Sequence, residues 1–228
     1  MLADLQDLKI DGWHLKFHEP AGDGPHKVIL LVHGWTGDEH SMWVFAPRLP
    51  KNALLIAPRA PYPSNHPEIA GYSWVQQRAD GFSTLDMFAP AVDAFEALLP
   101  QLAAHFPQAD FASFGMAGFS QGSAFSVAYA VRNAARLQRL AMLAGFLPEA
   151  SEVALPALAG KPVFIAHGTQ DQTVPVARAY AARDQLTAAG AQVRYCESEV
   201  GHKLGANCVA ELANFFAYKL PQMNADKR

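Results

Sequence analysis

A serine between two glycines is the feature of this sequence that most clearly indicates chemistry. The residues Gly118-Phe119-Ser120-Gln121-Gly122 form the pattern G-x-S-x-G, after a small, apolar run and before a helix-forming run. A strand, a sharp turn and a helix in this order make a nucleophile elbow, whose turn exposes a serine hydroxyl. Glycines allow the tight turn, and the first N–H groups of the helix would face a reacting carbonyl. The pattern predicts that Ser120 is a nucleophile, and the alternative is a glycine-rich turn without chemistry.

A serine hydroxyl needs a base, and only two histidines follow Ser120 in the chain. His202 lies in a glycine-flanked segment between a strand-like run and a helical run, where a loop would present its side chain. His167 ends the apolar, strand-like run 162–166, and we interpret it as structural. Nucleophile elbows are followed along the chain first by an acid and then by a histidine. His202 is therefore the predicted base.

The base in turn needs an acid that fixes its tautomer and stabilises its charged form. Asp171 lies in a turn between a strand-like run and the next predicted helix, so its side chain would lie at the carboxyl end of a strand. Asp184 and Glu197 are the other candidates, but the first is within a helical run and the second within a strand. Asp171 is the predicted acid, and a solvated turn aspartate is the alternative.

Acyl transfer also needs two backbone donors that stabilise a developing oxyanion. The run 27–32, which is β-branched residues and leucines from Val28 onward, predicts a buried strand, and it leads directly into a loop that begins at His33. We assign the donors to the N–H groups of Gln121 and Trp35, with Thr36 as a less favoured replacement for Trp35. His33 precedes the nucleophile and ends a strand, so we interpret it as a residue that holds the loop through hydrogen bonds.

Alternating strand-like and helix-like runs must position these residues. Strands are predicted at 28–33, 53–57, 114–119, 140–144, 163–167 and 193–196, and helices near 43–49, 85–104, 121–135, 176–189 and 206–218. An Asp-Gly pair inside the alternating run 8–17 predicts an N-terminal antiparallel hairpin. The pattern is typical of an α/β fold, with a mostly parallel central sheet, helices on both faces and ligands at the carboxyl ends of the strands. We expect a single domain over residues 1–228.

The segment 58–82 departs from this alternation. Four prolines oppose helix formation, and aromatic residues supply apolar surface. Long irregular connections inside compact domains are usually functional. We therefore predict a lid-like segment whose Tyr72, Trp74 and Phe82, with Thr36 of the oxyanion loop, bind substrate beside the nucleophile. The alternative is that these aromatic residues only cover the edge of the sheet.

Composition excludes several classes of protein. The chain has 228 residues, of which 50% are hydrophobic, and a formal net charge of −3, so it can bury a full core without staples. Its start does not resemble a signal peptide, no run is long enough to span a membrane, and scattered charges argue against nucleic-acid binding. We expect a cytoplasmic protein. Cys196 and Cys208 lack metal-ligand spacing, and we interpret them as reduced thiols, with a disulfide as the alternative.

Six short motifs together resemble the phospholipase/carboxylesterase family, which includes esterases similar to acyl-protein thioesterases. They are LVHGW at 31–35, APRAP at 57–61, GYSW at 71–74, GFSQG at 118–122, HGTQD at 167–171 and GH at 201–202. The similarity covers residues 27–220. It implies an α/β-hydrolase fold and hydrolysis of esters, lysophospholipids or acyl thioesters without a cofactor. By position it assigns nucleophile, acid and base to Ser120, Asp171 and His202, and the oxyanion donors to Trp35 and Gln121.

One departure from the family bears on substrate choice. Many members have His-Gly-Leu-Gly-Asp where this chain reads HGWTGD at 33–38, and a tryptophan there would line the pocket differently. The predicted function is that of a serine hydrolase acting on short to medium acyl esters, with a small-molecule substrate and no metal. The oligomeric state is open.

Two other functions stay open. The same fold could hydrolyse another bond, as in dienelactone hydrolases, although those enzymes usually have a cysteine nucleophile. A catalytically silent protein of this fold could bind a hydrophobic ligand, but the loss of a triad residue expected for it is not seen.

Overall fold

A mostly parallel sheet of eight strands forms the centre of the protein. The computed structural model describes residues 5–77 and 81–217. Its strands are β1 (Gln6–Ile10), β2 (Trp13–His18), β3 (His26–Val32), β4 (Ala53–Pro58), β5 (Tyr62–Pro63), β6 (Tyr72–Ser73), β7 (Ala109–Phe119), β8 (Leu137–Leu143), β9 (Pro162–Gly168) and β10 (Gln192–Ser198). The large sheet has the order β1-β2-β4-β3-β7-β8-β9-β10, and β5 and β6 form a second sheet of two strands. Every pairing from β4 to β10 in that order is parallel.

The N-terminal hairpin forms as the sequence predicted. β1 pairs antiparallel with β2, and β2 pairs antiparallel with β4, so the hairpin extends one edge of the sheet. Asp11 and Gly12 connect the two strands with φ angles of 48° and 79°. Two-residue hairpin turns of this kind need positive φ at both positions, and an Asp-Gly pair tolerates them. The turn chemistry therefore fixes the register of the hairpin.

In the described residues, four α-helices cover the sheet. They are α1 (Ala89–His105), α2 (Gln121–Arg132), α3 (Val176–Ala188) and α4 (Ala206–Ala217). The helix predicted near 43–49 is instead two short 3-10 turns, Ser41–Val44 and Ala46–Arg48, because Pro47 has no N–H to continue a helical ladder. Tyr218, at the end of the last predicted helix, lies outside the described residues. None of the helices in the described ranges is long and apolar enough to span a membrane.

Two hydrophobic cores, one on each face of the sheet, confirm the prediction of helices on both faces. Alternate residues of β3 supply both, as the period of two along a strand requires. Val28, Leu30 and Val32 belong to the core that contains α1, α2 and α3. Ile29 and Leu31 belong to the core beneath α4 and the 3-10 turns. Because both faces of this strand are buried from Val28 to Val32, its sequence is continuously apolar over these residues.

Cys196 and Cys208 form a disulfide with a Cα–Cα distance of 5.7 Å, so the interpretation as reduced thiols is wrong. Cys196 is in β10 and Cys208 is in α4, and both side chains are buried in the core beneath α4. The chain between them folds back on itself, which brings together two residues 12 apart in sequence. The disulfide therefore joins the two ends of the segment that contains His202.

The irregular segment 58–82 is attached to the loop after β3. Thr36 donates its backbone N–H to the Tyr72 carbonyl at 3.0 Å, and Tyr72 donates to the Gly37 carbonyl at 3.0 Å. A Cβ at Gly71 would lie only 2.0 Å from the Thr36 carbonyl oxygen, so the close approach of the two segments requires glycine there. Residues 78–80 of the segment lie outside the described ranges. The pairing fixes much of the predicted lid-like segment against the loop after β3.

Candidate active site

Ser120 occupies a strained turn between β7 and α2. Its φ and ψ are 52° and −119°, a combination that residues with a side chain seldom adopt. Hydrogen bonds hold this conformation: Ser120 donates its N–H to the Leu143 carbonyl at 2.9 Å, and its own carbonyl accepts from the Ser123 N–H at 2.9 Å. Strain of this kind persists only where the surrounding structure enforces it, and it clusters at functional sites.

The glycines on either side of the serine are required by close approach of main chains. A Cβ at Gly118 would lie 2.3 Å from the Gly122 carbonyl oxygen, and a Cβ at Gly122 would lie 2.3 Å from the Val32 carbonyl oxygen. Neither glycine has a positive φ. Their role is therefore to let α2 start directly against the ends of β3 and β7, which places Ser120 at the carboxyl edge of the sheet.

His202 and Asp171 form a close pair at the same edge. The Nδ1 of His202 lies 2.7 Å from Oδ2 of Asp171. The other carboxylate oxygen of Asp171 accepts the backbone N–H groups of Thr173 and Val174, both at 2.9 Å, and the side chain is fully buried. With its proton on Nδ1, neutral His202 has Nε2 available as a proton acceptor. His202 and Ser120 line the same cavity, so the fold brings the three residues of the predicted triad to one site.

His167 supports the aspartate and is fully buried. Its Nε2 lies 2.8 Å from the Val174 carbonyl, to which it donates, and 3.4 Å from Oδ2 of Asp171. Burial lowers the pKa of His167, so the ring is neutral at physiological pH. These contacts agree with the interpretation of His167 as a structural residue, but the sequence did not indicate that His167 lies so close to Asp171.

Gln121 connects the nucleophile turn to the irregular segment. It is the first residue of α2, so its backbone N–H has no partner within the helix and is a suitable oxyanion donor. Its buried side chain accepts the Trp74 backbone N–H at 3.0 Å and donates to the Ser73 hydroxyl at 3.2 Å. The side chain of Gln121 therefore fixes residues of the neighbouring segment, and its backbone N–H stays available at the start of α2.

The loop after β3 is held from inside by His33. Its Nδ1 donates to the Gly34 carbonyl at 2.7 Å, and its Nε2 accepts the Ala60 N–H at 2.9 Å. The carbonyl of His33 accepts from the Trp74 indole at 2.8 Å. Burial lowers the pKa of His33 to about 4, so the ring is neutral and both hydrogen bonds are intact at physiological pH. These contacts agree with a loop-holding role.

A partly buried ion pair fixes the far end of the same loop. Arg59 donates from Nε and Nη2 to the two carboxylate oxygens of Glu39, each at 2.6 Å. It also donates to the Tyr72 hydroxyl at 3.0 Å, with its guanidinium 4.5 Å from the centre of the Tyr72 ring. Within the described ranges, Asp38, Glu39 and His40 are the one group with donor atoms close enough for a metal ion. Both oxygens of Glu39 are occupied by Arg59, so the group fits a structural role better.

Two cavities meet at Ser120. The larger, of about 660 Å³, is lined by Gly34, Trp35, Thr36, Gly37, Ser41, Met42, Val44, Phe45, Phe119, Ser120, His202, Lys203, Leu204 and Val209. The smaller, of about 210 Å³, is lined by Trp35, Gly81, Phe82, Ser83, Ser120, Gln121, Phe146, Thr173 and Val174. Trp35 borders both, and its indole donates to the Ser64 carbonyl at 3.0 Å. Thr36 and Phe82, two predicted substrate-binding residues, therefore lie beside the nucleophile.

The other two predicted substrate-binding residues point elsewhere. Trp74 is fully buried and stacks on Phe125, with 4.1 Å between the ring centres. Tyr72 contacts Arg59 and lines a separate cleft with Trp13. The structure thus gives Trp74 a place in the core and Tyr72 a place beside the loop after β3.

Phe146 is a pocket residue that the sequence analysis missed. It lines the smaller cavity and contacts Phe82, with 4.5 Å between the ring centres. It follows β8 by three residues, at the carboxyl end of a strand. That position is the signal that could have identified it, because functional residues of parallel sheets cluster at this edge.

Comparison with known proteins identifies the family. The family model described as Phospholipase/Carboxylesterase matches residues 17–220. No curated protein sequence matches the chain. Among solved structures, esterase PE8 is 23% identical with a TM-score of 0.76, and the match covers 88% of this chain and 96% of that one.

Two further structures show the range of similar proteins. A carboxylesterase from Mesorhizobium loti is 20% identical with a TM-score of 0.76, and the match covers 93% of this chain and 98% of that one. Zea mays acyl-protein thioesterase 2 is 21% identical with a TM-score of 0.67, and the match covers 89% of this chain and 97% of that one. These likenesses establish the α/β-hydrolase fold. Because the family model matches most of the length of this chain, the chain belongs to the phospholipase/carboxylesterase family of hydrolases.

Proposed function

We propose that the protein hydrolyses carboxylic esters through Ser120, His202 and Asp171. The observation that supports this most strongly is the 2.7 Å contact between His202 Nδ1 and Asp171 Oδ2, in a histidine that lines the same cavity as Ser120. A buried carboxylate on one ring nitrogen leaves the other as a base, which is the arrangement that activates a serine hydroxyl. The strained backbone of Ser120 is a second, independent support.

The reaction has two acyl-transfer steps. His202 accepts the Ser120 proton as Oγ attacks the ester carbonyl, and the backbone N–H groups of Trp35 and Gln121 stabilise the oxyanion. His202 then donates the proton to the alcohol as it leaves. Water repeats the sequence on the acyl-enzyme, releases the acid and restores Ser120. No step in this scheme needs a cofactor.

The proposed substrates are small-molecule esters of short to medium acyl chains. Because similar structures include a carboxylesterase, an oxygen ester is the first substrate to test. Because they also include an acyl-protein thioesterase, an acyl thioester is the second. For location, the sequence predicts the cytoplasm, whereas the Cys196–Cys208 disulfide is typical of oxidising compartments. Fractionation of the source cells, followed by immunodetection, would decide between the two.

The test is hydrolysis of p-nitrophenyl butyrate by the wild type and by Ser120→Ala. Loss of the nucleophile should lower kcat/KM by at least roughly 10³-fold, because the histidine and aspartate cannot act without it. Ser113→Ala is the matched control, since Ser113 lies in the same strand, upstream of the turn. Near-wild-type activity of Ser120→Ala, with both variants folded by circular dichroism, would refute the proposal.

A further inference from the structure

The two cavities at Ser120 divide a bound ester into two parts, and their chemistry differs. The larger is lined mainly by apolar side chains, including Met42, Phe45, Leu204 and Val209. The smaller lies between the Phe82–Phe146 pair and the turn after Asp171. Ser120 lines both cavities. When it attacks an ester carbonyl carbon, the acyl group therefore extends into one cavity and the alcohol group into the other.

Proton transfer decides which part of the ester enters which cavity. When the tetrahedral intermediate collapses, the oxygen of the leaving alcohol must lie within hydrogen-bonding reach of His202 Nε2. His202 lines the larger cavity together with the next two residues of its loop. His202 does not line the smaller cavity, whose lining includes Gln121, the proposed oxyanion donor, and Thr173 and Val174, which follow Asp171. The leaving group therefore belongs in the larger cavity and the acyl group in the smaller.

The sizes of the cavities then set the substrate class. We infer that this hydrolase prefers esters of a short acyl chain with a bulky apolar alcohol, because the alcohol side offers about 660 Å³ and the acyl side about 210 Å³. This inference rests on the proposed function, and it assigns acyl-side selectivity to Phe82 and Phe146 and alcohol-side selectivity to Leu204 and Val209. In the first step the Oγ–C bond forms, the C–O bond to the alcohol breaks, and the Ser120 proton passes through His202 to that alcohol. Water then hydrolyses the acyl-enzyme, as in the scheme above.

Packing keeps the acyl side small. Phe82 is held between Phe146, at 4.5 Å between ring centres, and Arg178, whose guanidinium lies 4.1 Å from the Phe82 ring. Arg178 also contacts the Glu149 carboxylate at 3.3 Å. An acyl chain that extended past Phe82 would have to displace this stack. The rim of the larger cavity includes Val44, which is 72% exposed and offers apolar surface to an alcohol that extends outward.

A pair of isomeric esters tests this orientation directly. Hexyl acetate and ethyl hexanoate have the same formula and nearly the same hydrophobicity, but the long chain is on the alcohol in one and on the acyl group in the other. Acid release by the wild type, below the solubility limit of each ester, should give a kcat/KM on the order of tenfold or more higher for hexyl acetate. This comparison does not depend on the folding of any variant.

The outcomes separate the two proposals. Equal rates, or preference for ethyl hexanoate, with p-nitrophenyl acetate also hydrolysed, would overturn the inference and leave the esterase function standing. Hydrolysis of p-nitrophenyl acetate with no turnover of either alkyl ester would also overturn it. No turnover of any of the three esters would contradict the proposed function itself, and the inference with it.

Two variants assign the cavities. Val209→Trp fills the larger cavity. It should lower kcat/KM for hexyl acetate, relative to that for ethyl acetate, by about tenfold. It should change kcat/KM for ethyl hexanoate, relative to that for ethyl acetate, only little. Phe146→Ala opens the smaller cavity and should raise kcat/KM for ethyl hexanoate relative to that for ethyl acetate. Val153→Trp is the matched control, since Val153 is 95% exposed and lines neither cavity. If Val209→Trp instead lowers the ethyl hexanoate ratio, the acyl chain lies in the larger cavity.

Discussion

Acid should destabilise this protein through His33, a buried histidine that holds the loop after β3. Burial lowers the pKa of His33 from 6.5 to about 4, against the opposing effect of its hydrogen bond to Gly34. The ring is almost entirely removed from solvent, so little solvent screening reduces the effect. Protonation would also convert Nε2 from an acceptor into a donor facing the Ala60 N–H, which would break that hydrogen bond.

The size of the effect follows from proton linkage. Between its folded and unfolded pKa values, His33 binds a proton more readily in the unfolded chain, so the free energy of unfolding falls as the pH falls. The contribution of neutral His33 to the free energy of unfolding is complete above the unfolded pKa of 6.5, and it is lost as the pH drops toward the folded pKa of about 4. From about pH 7.5 to about pH 5, the expected loss from this residue is about 2 kcal/mol.

Urea unfolding followed by circular dichroism, at several pH values, measures this loss. His33→Gln keeps a side-chain acceptor but does not titrate, so it should be less stable than the wild type at about pH 7.5, with a gap that narrows by about 2 kcal/mol at about pH 5. His105→Gln controls for the general effect of replacing a histidine, because His105 is exposed. A gap between wild type and His33→Gln that stays constant across this range would refute the reasoning.

Three further variants test the site and its supports. Gly122→Ala should destabilise the protein by about 3 kcal/mol or more, measured by urea unfolding, because the new Cβ would lie 2.3 Å from the carbonyl oxygen of the last residue of β3; unchanged stability would contradict this packing. Asp171→Asn should lower kcat by on the order of 10⁴-fold with p-nitrophenyl butyrate, because His202 loses the carboxylate that holds its Nδ1 proton; a tenfold change or less would argue against the pair. Cys196→Ala with Cys208→Ala should lower the free energy of unfolding by about 3 kcal/mol, from the cross-link over a separation of 12 residues, and the wild type in reductant should lose a similar amount.

Local rules explain why the sequence predicted that Ser120, Asp171 and His202 would lie at one edge of the sheet. A strand that ends in a glycine-flanked serine and continues as a helix has few ways to fold, and Ser120 is observed in that turn. Asp171 and His202 each follow a strand of one parallel sheet, and the carboxyl ends of such strands share an edge. That shared edge explains why residues far apart in sequence could be expected to meet.

Other features depend on packing that leaves no local signal. Trp74 and Phe82 are both aromatic residues of the same irregular segment, yet Trp74 is buried against α2 while Phe82 lines a cavity. The pairing of Cys196 with Cys208 depends on how closely α4 returns to β10, which a spacing of 12 residues does not reveal. The difference in size between the two cavities likewise results from side chains contributed by many separate elements.

Covalent labelling with a fluorophosphonate tests the nucleophile most directly, since the reagent phosphonylates activated serine hydroxyl groups. Intact mass spectrometry of the wild type should show one added group, and peptide mapping should place it on Ser120. Ser120→Ala should stay unlabelled, and Asp171→Asn should label far more slowly. An unlabelled wild type, or a label on another serine, would contradict the assignment of Ser120 as the nucleophile.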